Sequence, residues 1–212
     1  MKFKLLFSYR FLLFILSVLG VYLQLTKHGG FGMMLYYTIL SNMLVMFFMG
    51  DMVWRMLRGR STQIQGYLRM KGAVTMAIMI TFVIYHFMLA PLATPEKFYR
   101  LENFLCHYIV PLMFFFDTLV IDKAKKYRKL DPFLWTLIPL AYMLFALLNG
   151  LVLKWPIPGA KDSPFAYFFI NVNKFGWAFV GKWVVIIFIA YLLAGYVLYG
   201  IKNIKRKSAI SE

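Results

Sequence analysis

Hydrophobic residues dominate this chain in long runs, which short polar or basic segments separate. Each run is long enough to cross the roughly 30 Å hydrocarbon core of a bilayer as an α-helix. The pattern therefore predicts an all-α polytopic membrane protein whose single domain, 1–212, is a bundle of six transmembrane helices. The predicted helices cover residues 5–25, 31–57, 72–92, 101–121, 132–153 and 177–201.

Basic residues predict how this bundle is oriented. They cluster after the second, fourth and sixth predicted helices, and the last cluster forms a basic tail at 202–212. Since cytoplasmic loops carry an excess of Lys and Arg, both termini and this tail are expected in the cytoplasm. The segment 154–176, between helices five and six, is rich in aromatic residues and is expected to cap the bundle on the external side.

Composition and charge indicate which kinds of binding partner are expected. The chain is 62% hydrophobic and 19% aromatic, and its formal net charge is +16. Because the positive charges lie in short segments between apolar runs, membrane topology accounts for them and no nucleic acid is expected. Cys106 is the only cysteine, which excludes an internal disulfide and a metal site built on paired cysteines.

Three short polar side chains interrupt the apolar second helix. Thr38, Ser41 and Asn42 are three and four residues apart, so they share one helical face that points away from lipid. At about 1.5 Å of rise per residue, Thr38 and His107 lie at a similar depth near the external side. The same depth is predicted for four further residues, which would complete a polar cavity in the outer half of the membrane: Tyr85, His86, Asn149 and Lys182.

These residues differ in how strongly their type indicates a catalytic role rather than a structural one. An ionisable residue inside a membrane is a functional candidate by default, which favours His107. Pro111 supports it, because proline leaves the carbonyl of His107 without its helical partner and bends the helix there. A membrane threonine more often bonds a backbone carbonyl or bridges two helices, and Lys182 can extend to the headgroups. Arg10, Asp51 and Asp117 are expected at comparable depth in the inner half, on the first, second and fourth helices, and are interpreted as a structural charge cluster.

Several short motifs resemble a known group. They are Tyr-Tyr-Thr-Ile-Leu-Ser-Asn at 36–42, His-Tyr-Ile-Val-Pro at 107–111, and the series Trp155-Pro156, Pro164-Phe165 and Gly176. These motifs are similar to those of the Pr6Pr group of bacterial membrane proteins. That group distantly resembles the animal androgen-induced and androgen-dependent membrane threonine hydrolases, which cleave fatty acid esters of hydroxy fatty acids. The resemblance implies a nucleophile at Thr38, a base at His107 and a bacterial plasma membrane.

The hypothesis from the sequence is therefore a membrane-embedded lipid-ester hydrolase. His107 would take the proton of the Thr38 hydroxyl as its oxygen attacks the ester carbonyl, giving an acyl-threonine intermediate. Asn42 or a backbone amide could donate to the oxyanion, and His86 could orient His107 or deliver water. Transfer of the acyl group to another acceptor stays open beside hydrolysis.

Two other classes of function remain open from the sequence. One is a small transporter or channel that uses Thr38, His86 and His107 to bind substrate or relay protons. The other is a lipid-binding or sensor protein that recognises a headgroup without turnover. No cofactor is expected, and no metal is expected because a third strong ligand is missing beside the two histidines. The expected partner is a membrane lipid or fatty-acyl ester.

Overall fold

The computed structural model describes residues 3–160 and 163–203, and all regular secondary structure in these residues is helical. Six helices are long and apolar enough to cross a membrane, which confirms that part of the prediction. They are α1 (Phe3–His28), α2 (Tyr37–Leu57), α3 (Gln65–Leu92), α4 (Leu101–Ile121), α5 (Asp131–Leu153) and α6 (Val172–Asn203). The basic tail after Asn203 lies outside the described residues.

Three helices begin several residues away from their predicted starts. α2 begins at Tyr37 and not at residue 31, because a 3-10 helix at Gly30–Leu35 precedes it. α3 begins at Gln65 and not at residue 72, so Arg69 and Lys71, which were predicted to lie in the loop before it, are helical. α6 begins at Val172 and contains Gly176 with φ of 77°, a backbone angle that favours glycine.

The connections divide the bundle into two distinct ends. Loops 58–64 and 122–130 meet where the Lys123 N–H donates to the Gln63 side chain at 2.8 Å, and we call this end the basic end. The described part of the segment 154–171 covers the start of α2 at the opposite end, which we call the aromatic end. There the Tyr36 hydroxyl donates to the carbonyl of Pro158 at 2.6 Å.

Apolar packing holds α1 to α4 together, and α5 and α6 pack against α3. The first group shares a buried cluster that includes Leu13, Met49, Ile78 and Phe114. A second cluster joins α3 to α5 and α6 through Met76, Trp135, Tyr191 and Leu198. Large apolar side chains on the outer surfaces of the helices are exposed, as expected for surfaces in contact with lipid: Phe47, Leu144, Leu193 and Val197.

A buried group of four charges ties α1, α3 and α4 together near the basic end. The Arg10 guanidinium contacts Asp117 at 3.0 Å and Asp122 at 3.5 Å. Lys71 pairs with Asp117 and lies 2.7 Å from Asp122. Two cations and two carboxylates therefore balance one another where a single unpaired charge would be costly. We call these four residues the charge cluster.

The predicted membership of the charge cluster requires one correction. Arg10 and Asp117 do pair, but Asp51 lies on an exposed surface of α2 and pairs with Arg55, one turn away, at 2.6 Å. Depth alone placed Asp51 beside Arg10, whereas its position around the helix points it elsewhere. Lys71 and Asp122 take part in the cluster instead.

The last turn of α6 closes the bundle at the basic end. The Lys202 ammonium donates to the carbonyls of Thr118 and Asp122, at 2.9 and 2.6 Å. These carbonyls belong to the end of α4, where backbone oxygens have lost their helical partners and a cation is favourable. The charge cluster and the described C-terminal end of the chain are thereby linked through α4.

Replacement of Asp117 by Asn is expected to destabilise the fold. It would leave Arg10 and Lys71 sharing the single carboxylate of Asp122, and breaking a buried ion pair commonly costs about 3–5 kcal/mol. Thermal unfolding in detergent measures the effect as a lowered Tm. Asp51→Asn serves as the matched control and should change Tm little, because Asp51 is exposed. Equal Tm values for the two variants would contradict the importance of the charge cluster.

Candidate functional site

Thr38 lies in the first turn of α2, at the aromatic end of the bundle. Tyr36 is extended, with φ of −93° and ψ of 132°, and the helix begins directly after it. Thr38 is consequently one of the residues whose backbone N–H has no carbonyl partner inside the helix. Its side chain is buried between α2, α4 and the segment 154–171.

His107 lies in a widened turn of α4. Residues Leu105–Ile109 form a π-helical turn, in which the Val110 N–H donates to the carbonyl of Leu105. Pro111 follows and lacks the N–H that would bond to the His107 carbonyl. A bend was predicted here from Pro111, and the residues before this proline form a π turn, a feature that is frequent at functional sites.

The hydroxyl of Thr38 and the imidazole of His107 are in hydrogen-bond contact. Thr38 Oγ1 lies 3.3 Å from His107 Nε2, and His107 Nδ1 lies 3.0 Å from the backbone carbonyl of Asn103. A carbonyl only accepts, so Nδ1 carries the proton and the neutral ring presents a lone pair at Nε2. The Thr38 hydroxyl therefore donates to Nε2, as required for a nucleophile and its base.

The ring of His107 is held on a second side by Tyr85. The two rings stack with centroids 3.8 Å apart and planes 22° apart. Asn103 fixes Tyr85 in turn, because its amide donates to the Tyr85 hydroxyl at 2.6 Å and to the carbonyl of Phe98 at 2.8 Å. Asn103 thus orients His107 through its backbone and Tyr85 through its side chain.

Ser41 and Asn42 lie beside the pair and join helices. The Ser41 hydroxyl contacts Thr81 on α3 at 2.7 Å. The Asn42 amide donates to the carbonyls of Thr38 and Cys106, at 2.8 and 3.0 Å, which links α2 to α4. Both amide hydrogens of Asn42 are used in these bonds, so the proposed role of Asn42 as oxyanion donor lacks a free donor.

Three residues that were predicted at the same depth are directed elsewhere. His86 is exposed, stacks on Phe82 and lies 3.3 Å from the Tyr108 hydroxyl. Asn149 is buried, but its amide holds the backbone at Trp155 and Pro164. Lys182 lies on an exposed surface of α6. Thr38 and His107 do meet, but depth alone does not define the direction of a side chain around its helix.

An apolar cavity of about 110 Å³ opens beside Thr38, between α2, α3, α5 and α6. Tyr85 and Tyr167 line it near Thr38, and Thr136 and Tyr191 line it toward the basic end. The remaining walls are mainly aliphatic and aromatic, among them Ile80, Leu140, Ile187 and Phe188. Such a cavity suits an acyl chain, with Thr38 at one end of it.

Tyr167 is the main residue of the site that the sequence did not indicate. Its hydroxyl lies 3.5 Å from Thr38 Oγ1 and 3.4 Å from the Thr38 backbone nitrogen. It belongs to an irregular segment without helical periodicity, so no spacing rule could place it. Asn103, in contrast, could have been found, because it precedes His107 by four residues on the same helix.

The charged groups of the site region include no arrangement for a metal. Within residues 3–160 and 163–203, no group of three or more His, Cys, Asp or Glu side chains is placed to hold a metal ion.

Comparison with protein-family models, with curated proteins and with solved structures finds no match to this chain.

Gly150 is expected to be essential for the position of the segment that carries Tyr167. A Cβ atom at Gly150 would overlap the ring of Phe165, so Gly150→Ala should displace this segment. Overpacking of this kind commonly costs about 1–3 kcal/mol, which thermal unfolding in detergent would detect. Gly181→Ala on α6 is the control, because a Cβ there meets no atom within 4 Å. A Gly150→Ala protein as stable as the control would contradict this packing.

Proposed function

We propose that this chain is a membrane-embedded lipid-ester hydrolase in which Thr38 is the nucleophile and His107 the general base. The observation that carries the proposal is the contact of 3.3 Å between Thr38 Oγ1 and His107 Nε2, with Nδ1 bonded to the Asn103 carbonyl. A threonine hydroxyl is a weak nucleophile until a base removes its proton. Here the base is already oriented by a third group.

The reaction proceeds in two balanced steps. In the first, the Thr38 hydroxyl gives its proton to His107 Nε2 while Oγ1 bonds to the ester carbonyl carbon. The carbon–oxygen bond to the alcohol breaks, and the leaving alcohol takes the proton from His107. In the second, water gives a proton to His107 Nε2 as its oxygen attacks the acyl carbon. The bond between this carbon and Thr38 Oγ1 then breaks, Oγ1 takes the proton back from His107, and the fatty acid is released. An acceptor alcohol in place of water would give acyl transfer.

The cavity supports a fatty-acyl ester as substrate. Its walls between Thr38 and Tyr191 are nearly all apolar, so they can surround a hydrocarbon chain while the ester group lies at Thr38. Fatty acid esters of hydroxy fatty acids are one such class, and the resemblance of the motifs at 36–42 and 107–111 to Pr6Pr proteins suggests it. No cofactor takes part in the proposed chemistry.

The proposed setting is a bacterial cell membrane with the basic end toward the cytoplasm. This orientation follows from the excess of Lys and Arg in loops 58–64 and 122–130. The aromatic end, with Thr38 and the segment 154–171, would then lie toward the external side. An ester group of an outer-leaflet lipid is at a comparable depth.

Fluorophosphonate labelling tests the nucleophile directly. Purified protein in detergent or nanodiscs should be modified on Thr38, as found by peptide mapping. Thr38→Ala should abolish this adduct, and His107→Ala should slow it by about 10² to 10⁴, the usual contribution of a general base. Thr75→Ala is the matched control, because Thr75 is a buried membrane threonine near the basic end. Absence of an adduct on folded wild-type protein would overturn the proposal and favour a transporter or a non-catalytic lipid-binding protein.

Filling the cavity tests the location of the acyl chain. Ile187→Trp places a larger side chain in the cavity wall, so hydrolysis of long-chain esters should fall by at least about tenfold while short-chain esters are retained. Its neighbour Ile186 is exposed on the outer surface of α6, and Ile186→Trp should leave both activities unchanged. Equal losses for short and long chains would place the acyl chain elsewhere.

A further inference from the structure

Attack by Thr38 on an ester creates a negative charge that needs hydrogen-bond donors. The charge develops on the carbonyl oxygen, close to Thr38 Oγ1, and donors there usually supply a large part of the catalysis. Asn42 does not meet this need, because its amide hydrogens bond the carbonyls of Thr38 and Cys106. Other donors must therefore face the cavity.

Two donors lie close to Thr38 Oγ1, and both belong to residues that line the cavity. The first is the hydroxyl of Tyr167, which is 3.5 Å from Oγ1. The second is the backbone N–H of Thr38, which contacts the Tyr167 oxygen over 3.4 Å, a long and weak hydrogen bond. Thr38 and Tyr167 both line the cavity, while His107 approaches Oγ1 from α4. The base and the two donors thus reach the hydroxyl from different elements.

We propose that the Tyr167 hydroxyl and the Thr38 backbone N–H together form the oxyanion hole of this site. The inference deepens the proposed hydrolase function and rests on it. A substrate carbonyl oxygen that enters between the two groups would replace their weak mutual contact and accept a hydrogen bond from each. The N–H belongs to the first turn of α2, where the helix dipole also favours negative charge.

Tyr167 is suited to this role by its surroundings. Its ring packs against Tyr36, with centroids 5.9 Å apart, and stacks on Phe169 at 5.2 Å. These contacts fix the direction of the hydroxyl, which matters because an oxyanion hole acts through donors held in place before the reaction. Burial raises the pKa of Tyr167, so the phenol keeps its proton at neutral pH and remains a donor.

Tyr167 keeps its own proton throughout the reaction. The Thr38 proton moves to His107 as Oγ1 bonds to the carbonyl carbon, and the carbonyl π electrons move onto oxygen. Tyr167 donates a hydrogen bond to this oxygen without losing its own proton. When the electron pair returns, the bond to the leaving alcohol breaks and the alcohol takes the proton from His107. Tyr167 is thus a catalytic residue that stabilises charge and exchanges no proton.

Tyr167→Phe tests the assignment, because it removes one oxygen atom and keeps the ring. We expect kcat for ester hydrolysis to fall about 10²-fold, with KM nearly unchanged, since the hydrogen bond strengthens only as charge develops. The rate of fluorophosphonate labelling at Thr38 should fall too, because the phosphoryl oxygen gains charge in the same place. Tyr36→Phe is the matched control. It removes the hydrogen bond to Pro158 that holds the same segment, and it should have a far smaller effect on kcat.

The outcomes separate this inference from the proposed function. Wild-type labelling at Thr38 together with an unchanged kcat in Tyr167→Phe would overturn the oxyanion hole alone. No wild-type labelling would overturn the hydrolase itself, and the inference with it. An equal loss in Tyr167→Phe and Tyr36→Phe would show that both act by loosening the segment, which also refutes the assignment.

A second substitution keeps the test valid if Tyr167→Phe fails to fold. Fluorotyrosine incorporated at position 167 preserves the size and the hydroxyl but lowers the phenol pKa. A phenolate cannot donate, so kcat should decline at a lower pH on the alkaline side than it does in the wild-type protein. Superimposable pH profiles would argue against Tyr167 as the donor.

Discussion

The whole structure depends on one constraint: a polar group in hydrocarbon must find its partner inside the protein. α4 meets this constraint twice, with Asp117 in the charge cluster near the basic end and with His107 near the aromatic end. The two residues are ten positions apart, or about 15 Å along the helix. The charge cluster fixes α4 against α1 and α3, so it also determines where His107 can meet α2. A structural ion network and a reactive pair are therefore held by one helix.

Widened turns accompany several of the polar side chains on which the fold and the site depend. Four π turns begin at or include Tyr85, His107, Asp117 and Asn149, and each is closed by an N–H that reaches back five residues. A π turn rotates the following residues relative to an ideal helix and redirects side chains. Proline explains the one at His107, since Pro111 removes the ordinary hydrogen bond. Near Asn149, the turn ends in Lys154 at φ of 52°, where the chain leaves α5 for the segment that carries Tyr167.

The sequence predicted contacts well where depth and helical face agreed, and failed where only depth was known. Thr38, Ser41 and Asn42 were assigned a common inward face, and they do meet α3 and α4. Asp51 had a suitable depth, but its direction was not considered and it pairs with Arg55 on an exposed surface. Helical spacing could not predict the position of Tyr167. In a segment without helical periodicity, the place of a residue in the sequence does not indicate which way its side chain points. The sequence therefore did not predict Tyr167, one of the two donors of the proposed oxyanion hole.

The start of α2 explains why Thr38, among the helical threonines, has a hydroxyl directed at a histidine. A threonine inside a helix usually bonds the carbonyl four residues earlier, and Thr26 and Thr75 do so at 2.8 Å. Thr38 lies in the first turn, so the carbonyl four residues earlier belongs to the 3-10 helix Gly30–Leu35 and does not continue the helical ladder. The extended Tyr36 thus leaves both the hydroxyl and the N–H of Thr38 available. The same backbone break supplies a nucleophile for His107 and a donor for the developing charge.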